Sequence, residues 1–268
     1  MSLPAGFEAD CDTIVRQTAL LRSLVRDADL SVPVPACPGW TLGDLLRHVG
    51  GAYRWAEEIV RTRAAEPVPD DIVNDVTGYG DKDPEALGEW LTEGAGRLAA
   101  TLREAGPHPR VWAPAPPRTP LFWSRRMAAE SVVHRYDATR ALGAPHDLDP
   151  SVAVAALEEW MEVSTLPQAV ETEEQRRALR EPPWTLHIHA TDAGDVGAGE
   201  WLFDLSGDAI SLRRAHEKAT VAVRGPAVEL LLLMYARRGP EGDGIEVFGD
   251  PARLMDWREK TSYWTRKK

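Results

Sequence analysis

Trp123-Ser-Arg-Arg-Met127-Ala-Ala-Glu130-Ser-Val-Val-His134-Arg-Tyr-Asp137-Ala-Thr-Arg-Ala141 is the stretch whose spacing decides how the first half of the chain folds. Trp123, Met127, Glu130, His134, Asp137 and Ala141 follow one another at intervals of four, three, four, three and four residues. That rhythm is the inward seam of a helix packed in a bundle. Three of these positions hold ionisable side chains where apolar ones are expected. Burying an unpaired carboxylate or imidazole is costly, so such groups need partners or a metal. Glu130 and His134 are offset by only about 40° around the helix, so both can reach one point. The same two residues also fit an ordinary i,i+4 pair on a solvated face. The seam placement is what turns them inward.

Working outward, this helix is expected from about Leu121 to Leu142, with Gly143 stopping it. Three more amphipathic helices precede it. Cys11, Ile14, Val15, Leu21 and Val25 keep the helical period between Phe7 and about Asp27. Ser31 to Trp40, with three prolines and a glycine, reads as a loop. Thr41 and Asp44 then form a capping-box-like start to a helix whose apolar face is Leu42, Leu45, Val49, Ala52, Ala56 and Ile59. After a loop from Pro67 to Asp83, Pro84 opens a helix through Leu87, Trp90, Leu91, Leu98 and Leu102 that Gly106 ends. Pro107 to Pro120, with six prolines, cannot be a helix interior. Four helices with one apolar face each imply a bundle.

His48 sits at the edge of its helix's apolar face, between Leu45, Ala52 and Trp55. If the two helices pack side by side, it faces Glu130 and His134. Two imidazoles and a carboxylate suit a catalytic metal with an open position. Taken alone, His48 reads equally as a satisfied core or surface histidine. Asp137, one turn beyond His134, is placed to orient a ligand.

Beyond Pro145 the pattern changes. A helix over Pro150 to Val163 leads into a polar stretch, Glu171 to Pro183. Period-two segments follow at Thr185–Ala190, Trp201–Leu205, Ala209–Arg213 and Ala219–Arg224, then an apolar helix through Met234, a strand at Gly244–Phe248 and a helix from Asp250-Pro251. The expectation is an α+β chain with an antiparallel sheet, divided at 1–146 and 147–268. His187 and His189 share one strand face, where a polar outer face is the commoner reading and no third ligand is evident. Cys37 lies in a loop with a partly exposed thiol and no nearby base, so it is not read as a nucleophile. Arg237 and Arg238 follow an apolar helix, where cations favour the C-terminus or can clamp a carboxylate.

Composition bounds the partners. The 268 residues are 43% hydrophobic and 27% charged, with a net charge of −11 from 31 basic and 42 acidic side chains. Arg125-Arg126 and Lys267-Lys268 are too small to make a phosphate-binding stripe, so no nucleic acid is expected. Met1 to Asp10 has neither a basic start nor an apolar run of signal-peptide length. The most apolar run, Val228 to Ala236, is far short of the roughly 20 residues a membrane span needs. Two cysteines, Cys11 and Cys37, make no disulfide framework. A cytoplasmic protein without membrane association, monomeric or homodimeric, is expected.

Two of these motifs carry a resemblance. Cys37-Pro-Gly-Trp-Thr-Leu-Gly-Asp-Leu-Leu-Arg-His48 and Glu130-Ser-Val-Val-His134-Arg-Tyr-Asp137 resemble the mycothiol-dependent maleylpyruvate isomerase family. Leu186-His-Ile-His-Ala-Thr-Asp192, Val223-Arg-Gly-Pro-Ala227, Leu230 to Arg237 and Val247-Phe-Gly-Asp250 resemble that family's second domain. The resemblance implies a DinB-like four-helix bundle followed by a smaller α/β domain similar to sterol carrier proteins. It carries the metal ligands over to His48, Glu130 and His134, with zinc favoured and nickel, cobalt or iron compatible. It implies mycothiol as thiol cofactor, deprotonated by the metal and added to an electrophilic substrate. In the isomerase the thiolate adds to a conjugated cis double bond; rotation and elimination give the trans isomer. A thiol S-transferase would leave the thiol attached. The family's arginine that holds the dicarboxylate falls on Arg237 as the candidate catalytic residue. The rival reading is a small-molecule binding protein whose metal is structural.

Overall fold

The computed structural model describes residues 5–74, 83–194 and 198–262. The Lys267-Lys268 tail, the first four residues and positions 75–82 of the Pro67–Asp83 loop lie outside them. The chain divides into two compact units, Met1–Asp147 and Leu148–Lys268.

The first unit is helical: α1 (Ala5–Val25), α2 (Leu42–Thr62), a single turn α3 (Asp71–Asn74), α4 (Pro84–Ala105) and α5 (Pro120–Ala141). Local chemistry sets the ends. Thr41 Oγ1 accepts from the Asp44 amide at 3.2 Å and the Thr41 amide donates to Asp44 Oδ2 at 2.8 Å, closing the capping box of α2. Asp83 caps α4 ahead of Pro84, and Gly106 and Gly143 follow α4 and α5 with positive φ. α1 and α2 each pack against both α4 and α5. α2 therefore lies beside α5.

That neighbourhood explains the unusual composition of α5. From Phe122 to Thr139 every side chain is buried except Arg125 and Glu130, which are half-buried. A helix covered on nearly all sides shows little amphipathicity, and only its seam residues betray the packing. Trp123 packs against Trp55 and Trp112 at centroid distances of 5.0 and 6.0 Å, and its indole donates to the Trp112 carbonyl at 2.8 Å. This fixes the proline-rich 107–119 connection against the α2–α5 seam.

The second unit contains α6 (Pro150–Ser164), α7 (Glu173–Ala178), β1 (Thr185–Ala190), β2 (Glu200–Asp204), β3 (Ser211–Arg214), β4 (Val221–Gly225), α8 (Ala227–Met234), β5 (Glu246–Phe248) and α9 (Pro251–Thr261). The strands form one sheet in the order β3-β2-β1-β4-β5. The expected antiparallel sheet is corrected here: β1 and β4 pair in parallel, Leu186 opposite Val221, while the other pairings are antiparallel. Alternation reports which face is buried, not strand direction, so this could not be read from the period. The polar stretch from Glu171 also gains a short helix, α7, capped by Thr172 through the Gln175 amide at 3.1 Å. Trp257 centres the core, its ring 5.3 Å from Trp160 and 4.9 Å from Phe203. Asp192 Oδ1 accepts from the Ala227 amide at 2.7 Å, tying the end of β1 to the start of α8. Among the described residues no helix is long and apolar enough to cross a membrane.

Candidate metal centre

The packing of α2 on α5 brings His48, Glu130 and His134 together, each offering one ligand atom within 4.8 Å of the others. Nε2 of His134 lies 2.9 Å and Nε2 of His48 lies 3.9 Å from Glu130 Oε2. The two imidazoles meet edge to face, 5.2 Å between centroids. His48 is 6% and His134 2% exposed, so the expected edge position of His48 is a buried one.

What holds the ring nitrogens decides what they can do. Nδ1 of His48 is 3.3 Å from the carbonyl of Val73 on α3. A carbonyl only accepts, so in this hydrogen bond Nδ1 is the donor, and a neutral ring then offers Nε2 as the ligating atom. Nδ1 of His134 is likewise 3.0 Å from Oδ2 of Asp137, whose side chain is fully buried. Both Nε2 atoms face the Glu130 carboxylate, where they can share a proton with it or hold a divalent cation together with it. The donor set fits a divalent transition metal bound by two neutral imidazoles and a monodentate carboxylate.

Glu130 is prepared as an anion. Burial opposes its ionisation, but the Arg126 guanidinium and the two imidazoles outweigh burial and hold its carboxyl well below the usual range. Arg126 Nη2 hydrogen-bonds Oε1, which leaves Oε2 facing the imidazoles. Arg126 lies one turn before Glu130 on the same helix, a spacing visible in the sequence.

Asp137 lies on the Nδ1 side of His134, and among the described residues no fourth carboxylate, thiol or imidazole joins the three groups. Cys37 is buried, not partly exposed, and its Sγ donates to Asp137 Oδ2 at 3.8 Å. An acidic neighbour is thus present where none was expected. The turn that places it runs through Cys37 N to Val34 O at 3.0 Å and Trp40 N to Cys37 O at 3.0 Å. Trp40 then lays its ring 5.0 Å from that of His48.

Arg237 belongs to the other unit, just after α8, where its Nη1 donates to the Tyr235 carbonyl at 2.9 Å. Its neighbour Arg238 pairs with Glu229 at 3.4 Å. His187 and His189 lie on β1, and the third ligand that the sequence did not reveal is present: Glu200 and His216 both lie close to His187.

A helical bundle that turns two imidazoles and one carboxylate to a common point defines a candidate metal-binding protein. The mycothiol maleylpyruvate isomerase N-terminal domain matches residues 11–139, and the C-terminal domain of the same group matches residues 151–255. The chain belongs to this family. Two solved structures share its fold. A crystal structure of the mycothiol-dependent maleylpyruvate isomerase is 18% identical with a TM-score of 0.55. A variant of it with a histidine replaced by alanine is 17% identical with a TM-score of 0.56. Each alignment covers 92% of this chain and 95% of that chain. No curated protein matches the sequence significantly.

Proposed function

We propose that this chain is a divalent-metal- and mycothiol-dependent enzyme that activates the thiol for attack on an electrophile, as an isomerase of a maleylpyruvate-like substrate or as a thiol S-transferase. The observation that carries the reading is the convergence of His48 Nε2, Glu130 Oε2 and His134 Nε2, with both Nδ1 protons held elsewhere. When bound there, a divalent cation supplies Lewis acidity that lowers the pKa of a thiol sharing its open position. The chain's own residues do the rest. Val73 and Asp137 fix the two tautomers, Arg126 keeps Glu130 ionised, and Trp40 covers the His48 ring.

Zinc suits this donor set best, with nickel, cobalt or iron as alternatives. Arg237 is the candidate for holding an anionic substrate. The rival, a binding protein with a structural metal, is less well supported. A structural site needs a fourth protein ligand, and Asp137 is already engaged with His134 and Cys37.

Elemental analysis followed by calorimetric titration with mycothiol tests the proposal. Bound metal, with thiol binding that disappears in His48→Ala, is the expected result. Metal without thiol binding would move the assignment to a structural site. Consumption of the thiol during turnover of an electrophile then separates a transferase from an isomerase, which returns it.

A further inference from the structure

A second set of ligating groups gathers in the C-terminal unit. His187 and His189 alternate onto one face of β1, and Glu200 of β2, directly opposite His189 in the register, shares that face. β3 ends at Arg214, and the connection Ala215–Thr220 must carry the chain back to the start of β4, which pairs with β1 in parallel. Its first amide, Ala215, donates to the Glu200 carbonyl at 3.3 Å, and its last, Thr220, donates to Thr185 Oγ1 at 3.0 Å. The connection therefore runs from the His189 end of β1 to the Thr185 end. On the way His216 meets Glu200: its Nδ1 hydrogen-bonds Oε2. Nε2 of His187 lies 3.1 Å from the same oxygen, and the His187 and His216 rings are 5.9 Å apart.

One nitrogen in this group is left without a function by the protein alone. His187 is only 8% exposed, and its Nε2 has the distance of an ion pair to Glu200 but not the alignment of a hydrogen bond. A buried polar atom without a partner is unusual in a native fold and calls for a ligand, an ion or a water.

We propose that His187 Nε2, Glu200 Oε2 and His216 Nδ1 form a second divalent transition-metal site, which pins the Ala215–Thr220 connection to β1 and β2. The three atoms lie within 4.8 Å of one another, the same condition that the bundle site meets. His189, its ring 6.1 Å from that of His187, is the candidate fourth ligand. His216 is the exposed member, so the site opens to solvent and can load without unfolding. Two or three imidazoles with one carboxylate select zinc, nickel, cobalt or copper over calcium or magnesium.

The test uses the full chain with His134→Ala, which removes a ligand of the bundle site. Titrated with Zn(II) by calorimetry and with Co(II) by absorption, it should bind one equivalent, and adding His216→Ala should abolish that binding. Hydrogen exchange of residues 215–220 should slow on Zn(II) addition. Should His134→Ala not fold, the comparison of wild type with His216→Ala alone serves: the stoichiometry should fall from two to one. No binding by folded His134→Ala, an equivalent that survives His216→Ala, or unchanged exchange at 215–220 overturns the proposal. A wild-type chain with one equivalent that is lost in His216→Ala but kept in His134→Ala would retain this site and sink the bundle site, so the two assignments fail separately.

Discussion

Asp137 Oδ2 accepts the Nδ1 proton of His134 at 3.0 Å, from a side chain with no exposed surface. This single contact fixes the ring's tautomer, its orientation and the direction of its Nε2 lone pair. Outer carboxylates of this kind raise the basicity of the ligand they hold, and their loss typically costs about 10–100-fold in metal affinity.

Asp137→Asn, which keeps an acceptor but loses the charge, should weaken metal binding by about 10-fold, and Asp137→Ala by about 100-fold. Competition against a chromogenic chelator measures both. Equal affinity in Asp137→Ala and wild type would remove Asp137 from any orienting role.

The Tyr53 hydroxyl links three helices of the bundle, 2.8 Å from Thr18 Oγ1 on α1 and 2.8 Å from Ser131 Oγ on α5. Burial pushes its phenol up to about 12, against the hydrogen bonds to Ser131 and Thr18, which act the other way. The sign follows from linkage. The unfolded chain releases this proton near pH 10 and the folded chain holds it, so the contribution is present below about pH 10 and lost as pH climbs through about 12. Tyr53→Phe should lose about 1 kcal/mol at neutral pH. It should also show a shallower alkaline decline than wild type in urea unfolding. Parallel declines would mean that Tyr53 ionises equally in both states.

Cys11 lies fully buried on α1, and burial pushes its thiol up to about 12. At pH 8 only about one chain in ten thousand would carry the thiolate. In a Cys37→Ser background, a thiol-alkylating reagent should leave the native protein unlabelled for hours and label it stoichiometrically in denaturant. Rapid native labelling would place Cys11 outside the core.

Gly50 on α2 supports the contact with α4. A Cβ there would come within 2.0 Å of the Trp90 ring, which Arg54 covers from 3.9 Å. Gly50→Ala should therefore destabilise the bundle by about 1–3 kcal/mol. Thermal melting checks the loss. An unaltered melting temperature would show that Trp90 moves aside without cost.

Much of this fold was legible in the sequence because the signals are local. Prolines and glycines that bound α4 and α5 act through their own backbone chemistry, and the capping box of α2 needs only Thr41 and Asp44. The seam through Glu130, His134 and Asp137 was legible because ionisable groups at inward positions break the apolar pattern. The partners of these groups were harder to read. The Val73 carbonyl that fixes His48 is a backbone atom and leaves no mark in composition. Cys37 and Asp137 meet across one hundred residues of chain. His216 joins His187 and Glu200 only because β4 pairs in parallel with β1, a direction that period-two alternation does not encode.

By itself, then, the sequence determined most of the helices and strands and the succession of a helical half and a mixed half, because period, caps and breakers act over a few residues. Only the tertiary structure decided which nitrogen of each histidine faces Glu130, which carboxylate stays ionised and which distant groups share a point. Those depend on burial and on contacts between elements far apart in the chain, and no local pattern records them.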